Sequence, residues 1–523
     1  MRTIAVGLVV FAIVMVAESA IGGYSFCYAE HWTTFFFDTD HISYAYFYIG
    51  GVAQLIADFL TQFFVGKWVA NILMSALLSA VAMLSYAVTT KQATTWANAP
   101  LSIAIATCVG LLSHSTDWSL AGTVALLLCL LCLFFRTKKT THINLWIYDI
   151  VCIATLFMAA GPIAVLYALY AIICSTKKTE YIAKLLIFSA IIAPASLYQM
   201  HCGAVGEWHQ ALTPIGYSDH RSSALWAAWL PWVGVLLLLV SNDVFLFFAI
   251  KKEKAKVAIN AFLMLLLCIV SGVQCINHDR ELFKRFSHLS READWQGIIS
   301  ACGGKPSRNI LVQNCINEAW AATGELGNHV LDNPESNMST LLSANIESGY
   351  VAAQMSDIYY LMGHIAQARR YAFEANEYVG GLSPRLLQRL TLTAIVLRQY
   401  NEAKKYIKLL SHTLFYAHWA QQMQALLTDE AVSANTELSH MRQCVPSSDA
   451  FCNAQGVNYD LADMMRSNPT NIATAQYLAA TMMFLGNKEE YVAIIDEMQA
   501  NGALPTILQK HFRQAYLMAK QAH

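Results

Sequence analysis

The stretch Gly22–Lys67, GGYSFCYAEHWTTFFFDTDHISYAYFYIGGVAQLIADFLTQFFVGK, follows the first apolar run of the chain and decides how the rest is read. Its first half gathers Glu30, His31, Asp38, Asp40 and His41 among aromatic residues, with no Lys or Arg. Its second half, Tyr44 to Val65, is apolar and aromatic but carries Gln54, Asp58 and Gln62 at intervals of four, which places them on one face of a helix. A polar stripe on an apolar helix suits the membrane interface better than the hydrocarbon centre. The stretch therefore predicts an acidic, aromatic loop that leads into an interfacial helix and forms the lip of an active site.

Working outward, the 523 residues are 56% hydrophobic and only 13% charged, about half the charged share of an ordinary soluble protein. Most acids and bases lie after Asn277, and long apolar runs fill the first half. The expected fold is all-α. A polytopic membrane domain over 1–277, with its long first loop and interfacial helix at 23–67, precedes a soluble helical-repeat domain over 278–523. A net charge of −1 gives no reason to expect nucleic acid as a partner. The thirteen cysteines follow no zinc or disulfide spacing, and several sit inside apolar runs as small hydrophobes. Cys444 and Cys452, in a stretch with Pro446 and two serines, fit a disulfide if that half lies outside the cytoplasm. The first apolar run reads as an uncleaved span rather than a signal peptide.

Windows of about 20 apolar residues place spans near 4–22, 69–89, 101–115, 118–135, 143–160, 162–175, 181–199, 224–248 and 257–276. The run 143–175 is broken at Gly161-Pro162 and flanked by Arg136-Thr-Lys138-Lys139 and Lys177-Lys178, so it reads as a tight hairpin with both ends on one side. With the N-terminus inside, all basic turns fall inside. The acidic loop, the turn His114–Asp117, the loop 200–223 and the C-terminal half then fall outside. Counting 44–66 as another span would put the basic turns outside, so the interfacial reading is preferred. For a Gram-negative cell this is a multi-pass inner-membrane protein with a periplasmic C-terminal domain.

In the second half, Leu361-Met-Gly363 through Tyr371 and Val396-Leu-Arg398 through Tyr406 overlay at a distance of 35 residues. Phe484-Leu-Gly486 through Ile494 follows the same pattern, and Ala322–Gly327 is an irregular fourth turn. A tetratricopeptide unit has a period of about 34, and the region resembles such a solenoid, which presents a concave face to a peptide or protein. A helix is expected to start at Asn468-Pro469-Thr470-Asn471 with Asn468 or Thr470 as its cap.

No Walker loop, dinucleotide turn, His-Glu-x-x-His or nucleophile elbow is present. Chemistry is therefore expected from the outside loops. Asp40, with Asp38 second, is the candidate catalytic acid or base, or the ligand of a divalent cation. Glu30, His41 and Asp117 are candidate substrate-binding residues, and Arg221 is the candidate phosphate clamp because a guanidinium meets a diphosphate bidentately. His201, Cys202, Glu207 and His209 match no zinc spacing. Glu18 is costly at mid-membrane and is expected to face a loop cavity or the interior. Asn71 and Asp149 are polar residues within apolar runs.

Tyr48-Ile-Gly50-Gly51-Val-Ala53, Phe59-Leu-Thr61-Gln62-Phe63-Phe64 and Ala293-Asp294-Trp295 resemble an uncharacterised family of Bacteroidota membrane proteins, which implies architecture and source only. The layout also resembles the C-type glycosyltransferase fold, which includes oligosaccharyltransferases, although no acceptor-binding motif appears in the C-terminal half. That resemblance implies a transferase using a lipid-linked sugar on the outer membrane face, with Asp38 or Asp40 in the place of the essential acid after span one. The repeats would then hold a protein acceptor or partner. The alternative is a non-catalytic membrane anchor whose repeats scaffold envelope assembly or secretion.

Overall fold

The computed structural model describes residues 1–21, 23–89, 96–115, 118–138, 145–175, 178–202, 207–217, 226–303, 307–343, 348–445 and 456–521. It is all-helical, with no strand among the described residues. The chain separates into two compact units, Met1–Glu30 with Phe37–Glu281 and His31–Phe36 with Leu282–His523. The six residues His31–Phe36 thus belong with the C-terminal half, although chain order puts them in the first loop.

The helices of the first unit are α1 (Arg2–Ile21), α2 (Tyr24–Glu30), α3 (Thr39–Phe47), α4 (Gly51–Thr61), α5 (Lys67–Thr89), α6 (Ala99–Leu112), α7 (Leu120–Lys138), α8 (Leu145–Ala160), α9 (Ile163–Ile173), α10 (Lys178–His201), α11 (Trp208–Leu212), α12 (Trp229–Phe247) and α13 (Glu253–Cys275). Helices occur at all nine positions where apolar runs predict spans. Five of them, α1, α5, α7, α10 and α13, are long and apolar enough to cross a membrane. Their apolar residues form one core in which α1 packs on α5, α5 on α6 and α7, and α6 on α12 and α13.

The apolar stretch over 44–65 is helical in pieces. The chain breaks at Gly50, turns into α4 at Gly51, and tightens to a 3-10 turn over Gln62–Val65. Gly50 adopts a left-handed φ of 84°, where a side chain would be strained. Its N–H donates to the Met158 carbonyl at 2.8 Å, and a Cβ there would lie 3.6 Å from the backbone of Gly161. The glycine pair therefore both breaks the helix and lets two chain segments touch. Gly161, with φ 71°, turns α8 back onto α9. Tyr217 seals that turn: its hydroxyl donates to the Ala160 carbonyl and accepts from the Ile163 N–H at 3.0 Å.

In the second unit the overlaid segments are helix–turn–helix pairs: Gly349–Leu361 with Ile365–Tyr378, Pro384–Val396 with Tyr400–Ser411, and Ile472–Leu485 with Lys488–Ala500. Each turn needs one left-handed residue, supplied by Gly363, Arg398 and Gly486, and Gly324 supplies it in the irregular copy. Ser348, His364, Ser383 and Asn487 cap helix N-termini with their side chains. At 468–471 the cap is Asn471, which accepts from Thr474 N–H. Asn468 instead binds Thr470, because its carbonyl oxygen takes that residue's N–H and hydroxyl. Cys444 is buried and accepts from Asn468 and Asn471 at 3.4 Å each, whereas Cys452 lies outside the described residues.

Candidate active site

Asp40 sits exposed in the first turn of α3, where a carboxylate favours the positive helix end. Asp38 is half-buried just before the helix, and its carbonyl accepts from the Ile42 N–H. His41 is half-buried, and burial holds its pKa below the usual histidine range against the opposing pull of Asp38. Asp38, Asp40 and His41 are thus brought together on one short turn. Glu30 ends α2 fully buried, 1% exposed, rather than lying in an open loop. Asp117 and Arg221 lie outside the described residues. Glu207 and His209 pair at 3.0 Å on a largely exposed turn. Among the described residues no three His, Cys, Asp or Glu side chains are grouped to hold a metal ion.

A second constellation forms around the turn after α6. His114, 3% exposed, meets Glu18 of α1 through Nε2 at 3.2 Å and Glu281 through Nδ1 at 3.4 Å. Ser25 of α2 donates to Glu281 at 2.9 Å and lies 3.4 Å from the Nδ1 of His114. Burial pulls the imidazolium down, but the hydrogen bonds to Glu18 and Glu281 outweigh it and push the His114 pKa up to about 9. At neutral pH the ring is charged and donates from both nitrogens, and one cation stands between two carboxylates. Glu18 Oε2 is buried with no hydrogen-bond partner among the described residues. The cost of a mid-membrane carboxylate singles out Glu18. No spacing reveals its partners, since His114 is 96 residues away and Glu281 lies 256 residues from Ser25.

Beside this turn lies a pocket walled by Val109 and Leu112 of α6, Gly122, Thr123 and Leu126 of α7, Tyr217, and Pro231 and Trp232 of α12, with Ser115 and Trp118 at the connecting turn. Its free interior of about 60 Å³ takes a few waters or the end of one lipid chain. Thr123 is 2% exposed and its hydroxyl has no partner among the described residues, leaving one polar atom in an apolar wall. Trp118 packs on Phe26 at 6.3 Å and Phe26 on Phe64 at 5.6 Å, which ties the wall to the residue next to Ser25. In sequence, Asp117 falls between the wall residues Ser115 and Trp118, and Arg221 between Tyr217 and Ala228. Gln62, the last residue of the polar stripe, is 1% exposed with neither amide atom bonded among the described residues.

In the second unit, His31–Phe36 runs as non-helical chain among the helix pairs. The Ser383 hydroxyl donates to the His31 carbonyl at 2.6 Å, and Arg385 donates to His31 Nδ1 at 3.3 Å. Burial first, then Arg291, Arg385 and His288, hold His31 well below its usual pKa, so it accepts as a neutral ring. Trp32 stands edge-on to Tyr350 at 4.8 Å over Ala352, Ala353, Ala372 and Ala375, and Phe36 is buried in the main core. The alanines leave the space that the indole fills.

Over residues 1–523 the chain matches the family of unknown function DUF6057 and belongs to it. Neither the curated proteins nor the solved structures gave a match.

Proposed function

We propose that this member of the family is a membrane-embedded transferase that takes a lipid-linked sugar donor where its loops converge. The observation that carries the reading is the apolar pocket among α6, α7 and α12, whose walls bracket both Asp117 and Arg221 in the chain. A pocket of that lining suits a lipid chain, and Arg221 would hold the donor phosphate beside it. Asp40, with Asp38 beside it, would act as acid or base or hold a divalent cation. Glu30, His41 and Asp117 would line the donor site.

The contacts of Ser25 and His114 with Glu281 support one face for the first loop, the His114 turn and the start of the C-terminal half. The membership of His31–Phe36 in the second unit supports the same arrangement, because a folded domain occupies one side only. An even number of crossings between Phe37 and Glu281 would fit this reading, and with it an interfacial Gly51–Val65. On this reading the N-terminus is cytoplasmic and the repeats are periplasmic. A deletion strain complemented with wild type or with Asp38→Ala/Asp40→Ala tests the reading by lectin blot and glycan mass spectrometry. Glycosylation restored only by wild type supports it, and an unchanged profile in the deletion strain overturns it.

The hold on His31–Phe36 favours a second reading, a scaffold whose tetratricopeptide-like repeats grip extended aromatic peptides. It predicts that partner capture survives Asp38→Ala/Asp40→Ala.

A further inference from the structure

The opposite end of the bundle holds a charge arrangement that the transferase reading does not use. Asp149 of α8 is 0% exposed and accepts from Arg136 of α7 at 2.8 and 3.2 Å, from the Tyr167 hydroxyl of α9 at 3.0 Å and from Lys184 of α10 at 3.3 Å. These four bonds fill the lone pairs of the carboxylate. Lys184 also donates to the Ala171 carbonyl at 3.0 Å, near the end of α9. The side chains of Arg136 and Lys184 are only 10% and 6% exposed, yet they share a single acid. Neither Glu180 of α10 nor Asp243 of α12 makes an ion pair with either cation among the described residues.

A buried positive charge without a counter-charge is expensive, and the carbonyl ends of α7 and α9 offset only part of it. Arg136 keeps Nη1 and Lys184 keeps one proton beyond the bonds named above. Each lies on an aromatic face, Arg136 over Tyr170 at 5.3 Å and Lys184 by Trp146 at 5.5 Å. In the chain, Lys138 and Lys139 follow Arg136 closely, and Lys177 and Lys178 come shortly before Lys184. Basic hollows between membrane helices on the cytoplasmic side take anionic headgroups.

We propose that Arg136 and Lys184 form a binding site for a phosphate-type anion, supplied by the headgroup of an anionic phospholipid. This site is independent of the transferase reading and rests on the membrane reading of α7–α10 for its ligand source. The anion completes a two-cation, two-anion cluster that closes the base of the α8–α9 hairpin.

The full chain, purified in detergent, is titrated with phosphatidylglycerol, with phosphatidylcholine and with inorganic phosphate, while retained lipid is read by native mass spectrometry and unfolding by fluorescence. Wild type should retain phosphatidylglycerol over phosphatidylcholine and unfold at a higher temperature with it. Lys184→Gln should bind about fivefold more weakly, the loss expected for one basic group at a membrane surface. Lys184→Arg should keep the preference, and Lys138→Gln, an exposed neighbour, should change it little. Stabilisation by inorganic phosphate as strong as by the lipid supports the anion site but reassigns its source to the free ion. Equal retention of both lipids by wild type, with no effect of phosphate, overturns the proposal even if Lys184→Gln fails to fold. So does an undiminished preference in Lys184→Gln.

Discussion

At one end of the helix bundle a single histidine stands between two glutamates; at the other a single aspartate stands between two cations. Both clusters join distant helices, one around a central cation and the other around a central anion. The difference matters because only one of them can relax. His114 can lose its proton as pH rises through about 9. The guanidinium of Arg136 cannot, so the second cluster can lower its energy only by gaining an anion or staying partly wet.

The sharpest way to break the comparison is Asp149→Asn, which leaves Arg136 and Lys184 buried together without a charge partner. A loss of about 3–5 kcal/mol is expected, seen as a large fall in unfolding temperature in detergent. His114→Gln removes the cation between Glu18 and Glu281 and should cost about 2–3 kcal/mol, less because a glutamine amide can still donate one hydrogen bond.

The pH dependence separates the two ends. The folded-state pKa of His114, about 9, lies above its unfolded value of 6.5, so its contribution is full below pH 6.5 and is lost as pH rises through 9. Unfolding temperatures measured across that window should fall more steeply in wild type than in His114→Gln, and equal slopes would contradict the assignment. Smaller still, Lys184→Gln should shift intrinsic stability in lipid-free detergent by no more than about 1 kcal/mol, because Arg136 still neutralises Asp149.

Much of the fold was legible because apolar runs in the first half have one stable backbone solution, the helix. The left-handed break at Gly50 was not, because it depends on the backbone of Gly161 in a distant turn. The repeat turns were visible from Gly363 and Gly486, and Arg398 was aligned with them although its side chain disfavours a φ of 60°. Arg398→Gly should therefore stabilise the second unit by about 0.5–1 kcal/mol in chemical unfolding. For the site, Asp38, Asp40 and His41 could be read as one loop. His114 gave only a lone histidine in a short turn, and nothing local linked it to Ser25 or Glu281. The hold on His31–Phe36 was equally hidden, because small alanines that receive an indole look like ordinary helix packing.

That hold also imposes an order on synthesis. Ser383 receives the carbonyl of His31 across 352 residues of chain. At a synthesis rate of 5–20 residues per second, His31–Phe36 waits roughly 20–70 s before the helices that cover it exist. During that interval a Trp- and Phe-rich segment has no cover of its own. A holding factor, or the membrane surface itself, is the natural place for it to rest until the ribosome has finished the second half.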